Sequence, residues 1–115
     1  MIQFKRRQDN PILKPDPQKA WESQAVFNPS IVKDKIYHMV YRALSASQNW
    51  QGRQLQLSTI GYAQSLDGIT FTKQGQLIKP ETPYEKFGCE DPRITKLDGE
   101  YFVFYTALSD YPFYP

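Results

Sequence analysis

The 115-residue chain carries a formal net charge of +2, too near balance to favour nucleic acid or an anionic membrane surface as a partner. Its length suits one small domain with a modest core, and Cys89 is its single cysteine, so no intrachain disulfide can form and a reducing compartment fits. The N-terminal MIQFKRRQDNPIL lacks an apolar signal core, and no stretch approaches the roughly 20 apolar residues of a membrane span, which makes a cytoplasmic protein the default. Lys5-Arg6-Arg7 reads as a solvated terminus.

In chain order, residues 18–24 offer about one helical turn, and nothing longer is helical. Residues 35–41 (KIYHMVY) have the aromatic and branched composition of a strand. Residues 58–63 (STIGYA) and 69–72 (ITFT) flank Leu66-Asp67-Gly68, and Asp-Gly between such runs predicts a hairpin. The same signal recurs at Asp98-Gly99, between residues 94–96 and the aromatic strand 100–105 (EYFVFY). Trp21, Trp50 and Tyr84 read as loop residues that could stack on sugars or pack in a core. The fold class is all-β.

An internal repeat organises these strands. NPSIVKDKIYHMVYRAL (28–44) lies over DPRITKLDGEYFVFYTAL (91–108) with one residue inserted, and Lys14-Pro15 stands before the first unit as Lys79-Pro80 stands before the second. An offset of about 64 residues is of the right order for four strands with generous loops, the size of a β-propeller blade. The units span about 10–65 and 75–115. Blades bury their faces only by stacking around an axis, and two do not close a ring. The expectation is therefore the first two blades of an incomplete propeller, with a third unit starting in SDYPFYP.

Asn28 and Asp91 occupy equivalent places in the repeat, each before a proline, which predicts extended backbone at both. Near a propeller axis, two such side chains could converge on one ligand; Asx-Pro could equally do no more than start a strand. Arg42, expected near the end of its strand, stands where the second unit has Thr106. It is either a site residue or a solvated one. Arg93 could pair with Glu90 or Asp91 at the surface. His38 reads as a packed or exposed strand residue, Asp67 and Asp98 as turn residues, and Cys89 as a small buried side chain. No metal-ligand spacing, phosphate-binding loop or nucleophile elbow is present. Acids, an Asn, arginines and aromatics suit carbohydrate recognition.

AVFNPS, MVYRAL, STIGYAQSLDGITF and above all GCEDPRITKLDGEYFVFYTA resemble glycoside hydrolase family 130, the β-mannoside phosphorylases and related β-mannosidases. The likeness runs from about Asn10 to Ala107. It implies a five-bladed β-propeller of which residues 1–115 are the N-terminal portion, and a chain of this length inactive alone. It also implies that inorganic phosphate attacks the anomeric carbon of a terminal β-linked mannose with inversion, giving α-mannose 1-phosphate. The Asp of E-D-P-R, here Asp91, would be the general acid, its proton reaching the glycosidic oxygen through a mannose hydroxyl. Asn28 and Arg42 match positions lining the sugar-binding end of the pocket, and Glu90 and Arg93 would support it. The implied partners are a β-mannoside oligosaccharide and phosphate as co-substrate, with no cofactor, no metal and homo-oligomerisation open. Much of the phosphate-binding set falls in later blades of the family, and Thr59 stands where many relatives carry a basic residue. A β-mannosidase, a non-catalytic sugar-binding module or a truncated fragment are the alternatives.

Overall fold

The computed structural model describes residues 1–111. Residues 112–115, within the expected start of a third unit, lie outside them. Strands β1 (Ala25–Lys33), β2 (Tyr37–Trp50), β3 (Arg53–Ser65) and β4 (Thr72–Ile78) form an antiparallel four-stranded sheet in sequence order. Strands β5 (Cys89–Leu97) and β6 (Glu100–Ala107) pair antiparallel in a second sheet. A 3₁₀ turn precedes each sheet, Ala20–Glu22 and Pro83–Glu85, the first inside the segment expected to make one turn. The described residues contain no α-helix, and the all-β expectation holds.

Turn chemistry explains the strand ends. Asp98 and Gly99 both take positive φ, 51° and 80°, the backbone a two-residue hairpin needs to follow the strand twist. Gln51 and Gly52 do the same at 52° and 75°, so β2 and β3 run on to Trp50 and Arg53, well beyond the expected strands. Arg42 is therefore mid-strand, and Trp50 ends a strand where a loop was expected. Asp67-Gly68 does not make the expected tight hairpin. The Asp67 Oδ1 accepts the amides of Ile69 at 2.8 Å and Thr70 at 2.9 Å, which takes those residues out of the ladder and delays β4 to Thr72.

Alternation along β2 directs its residues to two faces. Met39, Tyr41 and Ala43 pack with Ala63 beneath Ile12, Leu13, Trp21, Val26 and Phe71. Val40 turns the other way and packs with Ile60 against Cys89, Ile94, Val103 and Tyr105, so the second sheet covers the opposite face of the first. Leu55 and Leu57 of the long hairpin close on Phe87 and Leu108. Tyr41, Met39, Ile60 and Val40 are fully buried, each contributing about 1.5–3 kcal/mol. Gly61 faces Tyr41 across the β2–β3 ladder, and the phenol ring fills the space a Cβ would take.

The repeat is visible in the backbone. The β1–β2 register slips between Phe27 and Ser30, and the β5–β6 register slips between Glu90 and Arg93. Asn28 and Asp91 sit in these bulges at φ 48° and 54°. This corrects the expectation of extended geometry before proline. A proline bars its predecessor from the right-handed helical region, and Asn and Asp are the non-glycine residues that best tolerate the left-handed one. The bulge selects that option because it re-aims the side chain.

Candidate active site

The two bulges lie side by side. The Ile94 amide donates to the Ser30 Oγ at 3.1 Å, tying β5 to β1, and the Asn28 Nδ2 donates to the Asp91 Oδ1 at 2.7 Å. Arg42 reaches the same place from β2. Its Nη1 meets the Asp91 Oδ1 at 3.3 Å, its Nη2 meets the Glu90 Oε2 at 2.6 Å, and its Nε donates to the Ser58 Oγ at 2.9 Å. The guanidinium also lies over the Phe27 ring, 4.9 Å from the centroid. Three nitrogens on three partners fix its plane, a task for which lysine has no equivalent.

The two acids sit in different environments. Glu90 is mostly covered, and burial raises its pKa against the pull of Arg42, with Asp91 adding to the rise. The Asp91 side chain is 41% exposed. The Asn28 amide holds its pKa below the ordinary range, partly opposed by burial and helped by Arg42. The carboxylate thus presents an open face to solvent while its other side is bonded into the first unit.

Asn28, Arg42, Glu90 and Asp91, four of the five sequence candidates, come together here. Arg93 does not join them: its Nη1 donates to the Pro92 carbonyl at 2.7 Å and makes no ion pair with either acid. Ser58 and Phe27 belong to the site and carried no sequence signal of their own. Thr59 is buried on the other side of β3, its Oγ1 accepting from Gln76 at 3.1 Å. Trp21 packs over Tyr41, Trp50 donates to the Lys86 carbonyl at 2.7 Å, and Tyr84 stays exposed. Cys89 is fully buried, as expected. The His38 ring lies between those of Tyr62 and Tyr101, its Nδ1 2.6 Å from the Tyr62 hydroxyl.

A cavity of about 570 Å³ is lined chiefly by apolar residues such as Ile12, Val26, Met39 and Tyr41 and contains none of the four clustered groups. The described residues hold no group of three or more His, Cys, Asp and Glu suited to a metal ion. No described helix is long and apolar enough to cross a membrane.

The family model Glyco_hydro_130, described as beta-1,4-mannooligosaccharide phosphorylase, matches residues 3–113. A 1,2-beta-oligomannan phosphorylase of Thermoanaerobacter sp. (strain X514) is 39% identical over 112 residues, which are 96% of this chain and 38% of that protein. A beta-1,2-mannobiose phosphorylase of the same organism is 36% identical over 115 residues, with 94% and 38% covered. One solved structure superposes with a TM-score of 0.78 at 31% identity, covering 95% of this chain and 35% of the other. It comes from work reporting that the GH130 family of mannoside phosphorylases contains glycoside hydrolases that target beta-1,2 mannosidic linkages in Candida mannan. The chain spans about 38% of the length of the two curated relatives. The match over residues 3–113 places the chain in glycoside hydrolase family 130.

Proposed function

We propose that this chain forms the first two blades of a five-bladed propeller. Its full-length protein cleaves terminal β-mannosides with inorganic phosphate and releases α-mannose 1-phosphate, with Asp91 as general acid. The observation that carries this reading is the exposed Asp91 carboxylate, gripped from the neighbouring unit by Asn28 and Arg42. Phosphate displaces the leaving sugar at the anomeric carbon, and the carbon–oxygen bond breaks with inversion. The proton of Asp91 passes through a mannose hydroxyl to the departing oxygen. No second carboxylate is needed as a base, since phosphate is already an anionic nucleophile.

A general acid must hold its proton when it reacts, yet the Asn28 amide and Arg42 favour the Asp91 carboxylate. Seating a sugar on its open face strips away water and drives the pKa upward. The acid is then loaded by substrate binding. Glu90, already raised by burial, supports the pocket beside it. The two Thermoanaerobacter relatives favour a β-1,2 linkage over the β-1,4 linkage of the family description.

Hydrolysis is the second reading. It is favoured by the hydrolases in the family of the superposed structure and by Thr59, where the family resemblance implies a basic residue in many members. The full-length gene product should be incubated with β-1,2- and β-1,4-mannobiose, with and without phosphate. Phosphate-dependent α-mannose 1-phosphate from the β-1,2 sugar is the expected product. Free mannose formed equally without phosphate would replace phosphorolysis by hydrolysis, and no cleavage of either sugar would end the enzymatic reading.

A further inference from the structure

We propose that Glu85 is a positioning residue for Asp91, tying the strand that bears the acid to the strand beside it. The inference rests on the reading of Asp91 as general acid. Glu85 closes the second 3₁₀ turn and is almost fully buried, at 4% exposure. Its Oε1 accepts the amides of Glu81 at 2.9 Å and Thr82 at 3.1 Å, so the carboxylate is locked to its own turn. Its Oε2 accepts the Tyr105 hydroxyl at 2.7 Å and the Cys89 thiol at 3.7 Å.

Those last two partners give the contact its consequence. Cys89 immediately precedes Glu90, and Tyr105 immediately precedes Thr106. Glu90 and Thr106 form the ladder pair on which the bulge begins, and the register resumes only at Arg93 and Phe104. Glu85 therefore grips both strands one residue from the pair that launches Asp91. Burial and Glu85 push the Cys89 thiol up to about 12, and the bond to Glu85 pushes Tyr105 to about 12, so both stay protonated donors. The backbone around them is pinned as well. The Phe87 amide donates to the Leu108 carbonyl at 2.8 Å, and the Leu108 amide to the Gly88 carbonyl at 3.0 Å. Gly88 takes φ 139°, and a Cβ there would come within 3.3 Å of the backbone carbonyl of Ser58, the serine whose hydroxyl holds Arg42.

The first unit supplies an internal control. Glu22 stands 63 residues before Glu85 and accepts the Tyr41 hydroxyl at 3.0 Å, as Glu85 accepts that of Tyr105. Its other oxygen goes to Lys73 of β4 at 3.0 Å, and Val26 replaces the thiol. Glu22 therefore braces its sheet without touching the acid's strand pair.

In the full-length protein, Glu85→Gln keeps an oxygen for the two turn amides but turns an N–H donor toward the Tyr105 hydroxyl and the Cys89 thiol, which loosens the anchor. The expected result is a fall in kcat of about 10- to 100-fold with KM changed less than about threefold, while Glu22→Gln, whose tyrosine precedes Arg42 and not the acid's own strand pair, lowers kcat by a clearly smaller factor. Tyr105→Phe, which removes only the donated hydroxyl, should lower kcat in the same direction and by less. An unchanged kcat in folded Glu85→Gln would overturn the inference, as would an equal loss in Glu22→Gln. Should Glu85→Gln fail to fold, an unchanged kcat in Tyr105→Phe does the same. A crystal structure of the variant separates this failure from that of the functional reading. The Asn28–Asp91 contact should be lengthened or lost whether or not the wild-type protein turns over mannosides, and a preserved contact would overturn the anchor on its own.

Discussion

The two units share a backbone and divide the chemistry. Each has a 3₁₀ turn ending in a buried glutamate, a bulged first strand and a second-strand tyrosine donating to that glutamate. At the bulge the first unit has Phe27-Asn28 and the second Glu90-Asp91. On the next strand the first has Arg42 where the second has Thr106. One copy has become the donor half, an amide and a guanidinium, and the other the acceptor half, two carboxylates. Repetition supplied two left-handed bulges at matching positions, and divergence of a few side chains turned their meeting point into a charged site.

The sharpest way to break this division is to neutralise the acceptor. Asp91→Asn in the full-length protein should cut turnover by about 10²- to 10⁴-fold, the span expected for loss of a general acid. The rate of α-mannose 1-phosphate formation reads it directly. The reciprocal change, Asn28→Asp, places a second carboxylate against Asp91 and should shift the pH–rate profile upward, because like charges that close cannot both ionise easily. A profile that stays in place would mean that the donor half does not tune the acid.

Arg42→Lys tests the fork at smaller amplitude. The charge survives, but a single ammonium cannot hold Ser58, Glu90 and Asp91 together as Nε, Nη2 and Nη1 do. A loss of about tenfold in kcat/KM is expected from the displaced acid. If lysine restores full activity, charge alone suffices and the planar geometry has no role.

Stability separates the units next. Gly61→Ala in the first unit drives a Cβ into the buried Tyr41 ring, which also holds Glu22. Overpacking of this kind costs about 1–3 kcal/mol, read as a lower denaturation midpoint. A midpoint equal to wild type would show that the Tyr41–Glu22 contact can relax away without loss.

Much of this was legible in the sequence because it is local. Aromatic, β-branched runs marked β2 and β6, and Asp98-Gly99 marked the β5–β6 hairpin. Gln51-Gly52 gave no such warning, since Gln seldom adopts positive φ, and so the long β2–β3 hairpin was missed. The bulges were hidden for a different reason: proline narrows the preceding residue's options, and only the paired strand decides among those left. Contacts made across the fold, Ser58 with Arg42 or Glu85 with Tyr105, leave no periodic trace. One signal was available nonetheless. Trp21-Glu22 and Tyr84-Glu85 keep the 63-residue offset of Asn28 and Asp91, so carrying the repeat six residues upstream would have found both buried glutamates.

Those glutamates also differ in how their charge is met. Glu22 faces Lys73 at 3.0 Å, whereas Glu85 is met by neutral donors, two backbone amides, a thiol and a phenol. Burial raises the Glu85 pKa, but the Tyr105 hydroxyl and the turn amides outweigh it, and the folded value lies below the ordinary glutamate range. A carboxylate with a depressed folded pKa stabilises the fold fully above its unfolded value, and that contribution drains away as pH falls through the lower folded value. Stability of the purified protein should therefore decline with acid across and below the ordinary glutamate range, and Glu85→Gln should make that decline shallower. Protonation would also remove the charge that draws these four donors together, so the acid-weakened state should open first where β5 begins. Amide exchange can locate this. Earlier exposure of residues 87–89 than of β2 in mild acid is the expected pattern, and simultaneous exposure would mean that the two anchors fail together.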